Sequence, residues 1–177
     1  MMDIENKIKK VIRDVPNFPK EGIIFKDITP VMMDPILSNE ILDYLFDSYK
    51  GKGISKIAGI ESRGFLFGYP LAMRLGVPFI LLRKEGKLPY EKVRFSYQLE
   101  YGSATIEMHT DAVNENDNIL IHDDLLATGG SAAAAASLIR EQGANIHGFN
   151  FLINLSFLNG YQNLNKFSKN ILTLATY

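Results

Sequence analysis

Short apolar segments alternate with segments of helical pattern over most of this chain, and that alternation restricts the fold more than any other feature of the sequence. The apolar segments contain the strings ISKIAGI, VPFILL, NILIH, IHGFNFLINL and ILTLAT. The helical ones contain FLFGYPLAMRL and SAAAAASLIREQ. Strands that alternate with helices predict an α/β fold, with a mostly parallel central sheet flanked by helices. A length of 177 residues fits a single domain over residues 1–177.

The two less regular regions lie near the N-terminus and in the middle of the chain. Near the N-terminus, apolar residues recur at helical spacing: Ile4, Ile8, Val11 and Ile12. Two prolines and a glycine in VPNFPKEG then end the predicted helix, and a second helix is expected from Pro35 to about Gly51. The segment RKEGKLPYEKVRFSYQLEYG is too polar and too punctuated to belong to the core. We expect a long insertion there, of the kind that is more often functional than idle.

Composition excludes several kinds of site. The chain has no cysteine, which excludes disulfides, thiolate metal sites and a cysteine nucleophile. Its 19 basic and 20 acidic residues give a formal net charge of -1, so no general affinity for nucleic acid or membrane surfaces is expected. The sequence shows neither a signal peptide nor an apolar run long enough to span a bilayer. We therefore expect a cytoplasmic protein.

Residues 119–142 hold the pattern with the clearest chemistry. An apolar strand ends at two carboxylates, Asp123 and Asp124, and a short loop then leads through TGGS into an alanine-rich helix. Glycines let the backbone approach an anion, and the start of the helix presents unpaired N–H groups and the positive end of its dipole. The hydroxyl groups of Thr128 and Ser131 add donors. This order of residues predicts a phosphate site with two carboxylates beside it.

Carboxylates just before a phosphate site accept hydrogen bonds from neighbouring sugar hydroxyls, which makes a ribose 5-phosphate the expected ligand. The loop lacks the lysine of the nucleotide triphosphate motif and the glycine spacing of the dinucleotide motif. Taken singly, each residue also has an ordinary explanation: the carboxylates face solvent, Thr128 or Ser131 caps a helix, and the glycines turn the chain. The complete string favours the phosphate site.

The string ILIHDDLLATGGS resembles the phosphoribosyl pyrophosphate motif of the type I phosphoribosyltransferases, and DDLLATGG resembles the version in the adenine phosphoribosyltransferases. Four further strings resemble segments of that family in the same order: FPKEGIIFKDITPVMMDP, IAGIESRGFLFG, RKEGKLP and SYQLEYG. The resemblance implies the type I phosphoribosyltransferase fold, with an N-terminal hood over residues 1–34 and a core over residues 54–177. Residues from about 83 to 107 would form its flexible catalytic loop.

The same resemblance implies an activity in purine salvage. Ribose 5-phosphate would pass from 5-phosphoribosyl 1-pyrophosphate to N9 of adenine, assisted by Mg²⁺, to yield AMP and pyrophosphate. An enzyme acting on hypoxanthine, guanine, xanthine or orotate would share the donor motif and is the first alternative. A non-catalytic regulator with the same fold is the second, disfavoured by the lack of positive net charge and of an appended DNA-binding segment. No nucleic-acid or membrane partner is expected.

Carried over by motif, the resemblance gives roles to the residues of the donor site. Asp123 and Asp124 would bind the ribose hydroxyls, and the 5-phosphate would be bound by Ala127, Thr128, Gly129, Gly130 and Ser131. The pyrophosphate site would comprise Glu61, Ser62, Arg63 and Gly64, in a loop that often has a non-proline cis peptide, with Arg83, Lys84 and Lys87. Without the motif, Arg63 would be an ordinary surface arginine and the three cations a solvated face. One of these basic residues reaches across a dimer interface in relatives, so a homodimer is implied.

The remaining roles belong to the loop and the hood. Glu100 matches the family's acid–base residue, which handles the proton at N7 of adenine; its ordinary explanation is a surface glutamate. Tyr101 would close over the substrate or simply pack. The adenine pocket would include residues of the hood, namely Ile23, Ile24, Phe25 and Lys26. Phe25 and both isoleucines fit equally well as core of the hood.

Four positions depart from the family pattern. Lys26 stands where many relatives have arginine, and Ser131 replaces threonine but keeps the hydroxyl. His122, directly before the two carboxylates, would either tune Asp123 or be a hydrogen-bonded, partly buried histidine. Asn154 lies where glutamate is common, and no role for it follows from the sequence. None of these departures breaks the motif.

Overall fold

The computed structural model describes residues 3–98 and 103–177. Its strands are β1 (Arg13–Pro16), β2 (Ile24–Asp27), β3 (Lys56–Ile60), β4 (Phe79–Lys84), β5 (Lys92–Gln98), β6 (Ser103–His109), β7 (Asn118–Leu126), β8 (Asn145–Asn154) and β9 (Ile171–Thr176). Its α-helices are α1 (Ile4–Val11), α2 (Thr29–Met32), α3 (Pro35–Tyr49), α4 (Gly64–Leu75), α5 (Gly130–Glu141) and α6 (Gly160–Leu164).

The central sheet has the strand order β5–β6–β4–β3–β7–β8–β9. Strands β4, β3, β7, β8 and β9 run parallel to one another, whereas β6 pairs antiparallel with both β4 and β5. The predicted alternation of strands and helices is confirmed, and it positions the carboxyl ends of the parallel strands at one edge of the sheet. In such sheets, ligands bind outside that edge.

Helices cover both faces of the sheet because its central strands are apolar on both sides. In β7, Ile119 and Ile121 pack with the apolar residues of α5, whereas Leu120 packs with those of α3 and α4 on the opposite face. This arrangement explains why NILIH is a continuous apolar run instead of an alternating one. The long helix of the second face, α3, is capped by Asp34, whose Oδ1 accepts hydrogen bonds from the N–H groups of Ile36 and Leu37, both at 3.0 Å.

The central segment differs from its prediction. Where an insertion outside the core was expected, β5 and β6 form an antiparallel hairpin that extends the sheet laterally beyond β4. Leu88 is buried, and Val93, Phe95 and Tyr97 pack against the core cluster that includes α5. The pattern KVRFSYQ alternates apolar and polar residues with the period of a half-buried strand. The charges and the proline in the surrounding sequence obscured that signal.

The strand β7 also extends further than predicted. It was expected to end at the two carboxylates, but it continues through them to Leu126, pairing with β8 over that length. Asp123 and Asp124 therefore lie within a central strand. Regular backbone pairing holds their positions more firmly than a loop would.

The N-terminal segment forms a small layer of its own. α1 is confirmed, and β1 pairs with β2 in a two-stranded antiparallel sheet. Ile8 of α1 and Ile28 are buried in the cluster that also includes α3 and α4. The division into a hood and a core stays a prediction. No helix of the described chain has the length and apolar composition needed to cross a bilayer.

Candidate active site

Three short segments that follow parallel strands meet at one edge of the sheet. Residues 61–64 follow β3, the basic turn (residues 83–87) begins at the end of β4, and the phosphate loop (residues 127–131) follows β7. Because β4, β3 and β7 are neighbours and run parallel, their carboxyl ends lie side by side. The chain thus brings together the segments that the sequence singled out for donor binding.

The phosphate loop has the geometry of an anion site. Gly129 adopts a left-handed conformation with φ of +78°, which favours glycine, and α5 begins at the next residue. The loop encloses a cavity of about 110 Å³ in front of the helix. Asn163 supports it from outside by donating a hydrogen bond of 2.7 Å to the carbonyl of Thr128. A Cβ on Gly160 would collide with the carbonyl of Ala127, so α6 packs directly on the loop.

For the capping residues and for Asp124, the ordinary explanations of this string do not fit the geometry. Gly129 is the N-cap of α5, so neither Thr128 nor Ser131 occupies the capping position. The Ser131 hydroxyl instead lies 3.1 Å from the hydroxyl of Tyr97. Asp124 is only 3% exposed and does not face solvent. An enclosed carboxylate beside an open phosphate loop is the arrangement that a polar ligand requires.

The acidic pair, Asp123 and Asp124, forms a compact group. The N–H of Asp124 donates a hydrogen bond of 2.9 Å to Oδ1 of Asp123. Burial raises the pKa of Asp123 well above its ordinary value, and the neighbouring Asp124 charge raises it further. Burial also raises the pKa of Asp124, although the Arg63 guanidinium opposes that effect. Ligand hydroxyls that donate to this pair would stabilise its charged form.

Arg63 connects the acidic pair with the N-terminal segment. Its Nε lies 3.0 Å from Oδ2 of Asp124, in an ion pair whose alignment falls short of a hydrogen bond. Its guanidinium carbon lies 5.4 Å from the centroid of the Phe25 ring, within the range of a cation–π contact. Phe25 in turn makes an edge-on contact with Phe18, with the ring centroids 5.2 Å apart. Arg63 is therefore not an ordinary surface arginine.

The 61–64 segment lies against β7. Its Glu61–Ser62 peptide bond is cis, as the resemblance implied. A Cβ added to Gly64 would lie 2.7 Å from the carbonyl oxygen of His122 and 3.1 Å from Cα of Asp123. Only glycine permits this approach, which brings the start of α4 directly beside the acidic pair.

The basic turn is built on an ion pair between Glu61 and Arg83. Arg83 donates from Nε to Oε2 at 3.1 Å and from Nη2 to Oε1 at 3.2 Å, and the N–H of Lys84 donates to Oε2 at 3.0 Å. Burial would raise the pKa of Glu61, but these hydrogen bonds outweigh it and hold the pKa below its ordinary value. Arg83 also donates to the carbonyl of Lys87 at 2.9 Å. Its charge is thus compensated within the protein, whereas the side chains of Lys84 and Lys87 are exposed.

Comparisons with known proteins agree with this geometry. The phosphoribosyl transferase domain family matches residues 35–154. The adenine phosphoribosyltransferase of Anaeromyxobacter dehalogenans (strain 2CP-C) is 51% identical over 164 residues, which cover 93% of this chain and 94% of that protein. The chain belongs to the adenine phosphoribosyltransferase family. The family resemblance predicted from the motifs is confirmed.

Solved structures of this family have the same fold. The adenine phosphoribosyltransferase of Thermoanaerobacter pseudethanolicus is similar with a TM-score of 0.92 and 45% identity, over 97% of this chain and 99% of that one. The enzyme of Saccharomyces cerevisiae has a TM-score of 0.89 and 40% identity, over 97% and 98% of the two chains. That crystal structure contains adenine and D-2,5-dideoxy-2,5-imino-altritol 1,6-bisphosphate. The predicted type I phosphoribosyltransferase fold is confirmed.

The predicted adenine residues of the hood lie in different surroundings. Ile23 and Ile24 are 44% and 57% exposed, so the alternative that they form the core of the hood is wrong. Lys26 pairs with Asp14, at 2.6 Å between Nζ and Oδ1, and its Nζ lies 4.2 Å from the centroid of the Tyr177 ring. Lys26 is thus already engaged by the small N-terminal sheet and the C-terminal residue.

Two of the four positions that depart from the family pattern, His122 and Asn154, are buried. His122 is fully buried, and its Nδ1 lies 2.6 Å from Oδ1 of Asn150. Burial lowers the pKa of His122 to about 4, so the ring is neutral at pH 7 and adds no charge beside Asp123. The hydrogen-bonded alternative is confirmed, with burial complete instead of partial. Asn154 is 3% exposed, and its Oδ1 has no hydrogen-bond partner within the part of the chain that the structure describes.

Two residues of the hairpin contact the site although no sequence pattern indicated it. Glu107, on β6, is 1% exposed; its Oε2 accepts a hydrogen bond of 3.0 Å from the N–H of Gly86 and lies 3.4 Å from Nζ of Lys92. This buried carboxylate fixes the shape of the basic turn. The other is Tyr97, which contacts Ser131. Glu100 and Tyr101, which were given catalytic and closing roles, lie outside the described residues.

Proposed function

We propose that this protein transfers ribose 5-phosphate from 5-phosphoribosyl 1-pyrophosphate to N9 of adenine, giving AMP and pyrophosphate. The main support is the contact between the acidic pair and its surroundings: Arg63 lies against Asp124, and Gly64 lies against His122 and Asp123. One ligand that contains a phosphate, a ribose and a pyrophosphate would touch all of these groups. The Saccharomyces cerevisiae relative, crystallised with adenine and a sugar bisphosphate analogue, supports the same pair of ligands.

Each part of the donor would meet a group of matching chemistry. The 5-phosphate would accept hydrogen bonds from the phosphate loop and the first turn of α5, where the helix dipole favours an anion. The ribose hydroxyls would donate to Asp123 and Asp124. The pyrophosphate would lie between the start of α4 and the exposed Lys84 and Lys87. Arg83, already paired with Glu61, would act by shaping the basic turn.

In the transfer itself, the lone pair of N9 of adenine forms a bond to the anomeric carbon of ribose. The bond from that carbon to the pyrophosphate oxygen breaks, and its electron pair leaves with pyrophosphate, inverting the anomeric carbon. The adenine proton, carried on N7, passes to Glu100, which acts as a general base. Cations beside the leaving group stabilise the charge that builds up on it.

Mg²⁺ fits this site as an ion bound mainly through the substrate. Among the described residues, no group of three or more metal-ligating side chains is arranged to hold a metal ion. Mg²⁺ commonly binds through substrate phosphates, a few carboxylates and several waters, and Asp123 and Asp124 offer carboxylates beside the expected ribose. When bound, it would neutralise part of the charge on the leaving pyrophosphate.

The substrate assignment is tested by offering the protein labelled donor, Mg²⁺ and each base separately. AMP should form with adenine, and hypoxanthine, guanine, xanthine and orotate should give little product. Turnover with one of those four bases and not with adenine would overturn the assignment of adenine as the substrate. Absence of turnover together with sequence-specific DNA binding would favour the alternative of a non-catalytic regulator. The cytoplasmic location stays a prediction.

Replacing Asp123 or Asp124 by asparagine should weaken binding of 5-phosphoribosyl 1-pyrophosphate by about tenfold to a hundredfold. A hydrogen bond to a charged group contributes about 1.5–3 kcal/mol, and asparagine keeps the shape without the charge. Binding of adenine should change little, and calorimetry measures both. Asp117→Asn is the matched control, because Asp117 is a buried carboxylate paired with Lys56 at 2.7 Å near the opposite end of β7. An equal loss of donor affinity in that control would contradict the assignment of the acidic pair to the ribose site.

We also propose that the protein forms a homodimer through the outer face of α4. Three apolar side chains on that face recur at helical spacing and are exposed by 43%, 53% and 64%: Leu66, Tyr69 and Met73. An exposed apolar stripe of this kind suits a second copy of the chain. Met73→Glu should shift the protein toward monomer in sedimentation velocity. Phe157→Glu, at another exposed apolar residue, should leave the distribution unchanged. A wild-type monomer would contradict the proposal.

A further inference from the structure

The hydroxyl of Tyr97 joins two parts of the chain that the sequence separates by 34 positions. Its oxygen lies 3.1 Å from Oγ of Ser131, in the first turn of α5. Tyr97 is the second-last residue of β5, and Gln98 pairs with Ser103 of β6. The predicted catalytic residue, Glu100, follows Tyr97 by three positions in the sequence. The contact therefore links the strand that leads to Glu100 with the phosphate loop.

We propose that Tyr97 is a positioning residue for the transfer reaction. Its hydroxyl donates a hydrogen bond to Ser131 Oγ, which leaves the Ser131 proton directed to the 5-phosphate of the donor. The same hydrogen bond holds the end of β5 against the phosphate loop. This role rests on the proposed function, because that function assigns the 5-phosphate to the loop.

The direction of the hydrogen bond follows from the protons available. A hydroxyl has one proton and two lone pairs, and a phosphate oxygen only accepts at neutral pH. When Ser131 donates its proton to phosphate, it has only lone pairs to offer Tyr97, so Tyr97 must be the donor. A serine hydroxyl that is fixed in this way loses less freedom when phosphate binds, and hydrogen bonds in a chain strengthen one another.

The ring of Tyr97 has a structural role that is separate from the role of its hydroxyl. The ring packs against the core cluster on the face of the sheet that α5 covers. It also lines a cavity of about 40 Å³ together with Glu61, Arg83 and Lys84. The hydroxyl thus lies between the phosphate loop and the basic turn. Tyr97→Phe keeps the ring and its packing and removes only the hydrogen bond.

The test measures binding of ribose 5-phosphate by calorimetry to the wild type, Tyr97→Phe, Ser131→Ala and the double variant. Tyr97→Phe should raise the Kd by about two- to tenfold, as expected for the loss of one hydrogen bond. In the Ser131→Ala background, the same change should have no further effect, because the hydroxyl that Tyr97 orients is gone. In a Ser131→Thr background, which restores a hydroxyl, Tyr97→Phe should weaken binding again.

Ser96→Ala is the matched control. It removes another hydroxyl pair of the hairpin, between Ser96 and Thr105 at 3.0 Å, that does not reach the phosphate loop. Its Kd for ribose 5-phosphate should equal that of the wild type. With adenine and the full donor, Tyr97→Phe should lower kcat and raise KM for the donor while KM for adenine stays constant. If the role of Tyr97 were purely structural, its replacement would not raise KM for the donor while KM for adenine stayed constant.

Two results would overturn the role of Tyr97: an unchanged Kd in Tyr97→Phe, or an equal loss of affinity with and without the Ser131 hydroxyl. Thermal melting verifies that each variant folds before its Kd is compared with that of the wild type. Failure of the wild type to use adenine would overturn the proposed function instead. Ribose 5-phosphate binding, which needs no turnover, would still decide the role of Tyr97.

Discussion

Replacing Glu100 by glutamine is expected to lower kcat for AMP formation by about two to four orders of magnitude, the usual contribution of general acid–base catalysis. Glutamine has nearly the same size as glutamate, but its amide does not take up the proton that leaves N7 of adenine. The Kd for 5-phosphoribosyl 1-pyrophosphate should stay close to that of the wild type, because other groups are proposed to hold the donor. Single-turnover kinetics at saturating substrates measure the chemical step directly.

Glu91→Gln provides the comparison for this variant. Glu91 is an exposed glutamate just before β5, and the same change of charge there should leave kcat unaltered. An unchanged kcat in Glu100→Gln would refute the acid–base role. A fall in kcat of similar size in both variants would point to the net charge of the hairpin instead of to a specific proton transfer.

The parts of the fold that the sequence predicted are those in which local pattern and final environment agree. A central parallel strand is buried on both faces, so NILIH is apolar throughout and is recognisable without knowledge of its neighbours. The phosphate loop is equally local, because the glycines, the hydroxyls and the start of α5 are consecutive in the chain. In the structure this loop follows the carboxyl end of β7, where ligands bind in such sheets.

The parts that the sequence did not predict depend on partners far away along the chain. Glu61 and Arg83 are 22 positions apart, and nothing near either residue indicates that the two side chains form an ion pair. Glu107 and Gly86 are 21 positions apart, and a glutamate in an alternating strand is normally assigned to the solvent face. Both pairs shape the basic turn. Tertiary pairing, not local pattern, thus determines which of its cations remain available to an anion.

The side chain of Arg63 contacts both the expected ribose site and the expected base site. It touches Asp124, expected at the ribose, and Phe25, expected at the base. A ligand that reaches Asp124 with a hydroxyl competes with the guanidinium for the same carboxylate oxygens. The exposed part of Arg63 would then be free to approach the pyrophosphate. Occupation of the donor site is therefore expected to alter the contact between Arg63 and the hood.

Replacing Gly64 by alanine is expected to lower kcat/KM for the donor by about a hundredfold, the size of effect that a displacement of roughly 1 Å produces in a catalytic site. The new Cβ would lie 2.7 Å from the carbonyl oxygen of His122, which is backbone and cannot rotate away. Either α4 or β7 must move, and both carry groups that we propose bind the donor. Stability should also fall, by about 1–3 kcal/mol for an overpacked core position.

Gly68→Ala, one turn further along α4, separates the loss of activity from the loss of stability. Its Cβ would lie 2.9 Å from Cε2 of Phe79 and 3.3 Å from Cδ2 of His122, which are side-chain atoms that can shift without moving the acidic pair. The melting temperature should fall in both variants, and kcat/KM should fall only in Gly64→Ala. Equal kinetics in the two variants would mean that the close approach of α4 to Asp123 serves packing alone, and that the donor site tolerates a displacement of its pyrophosphate segment.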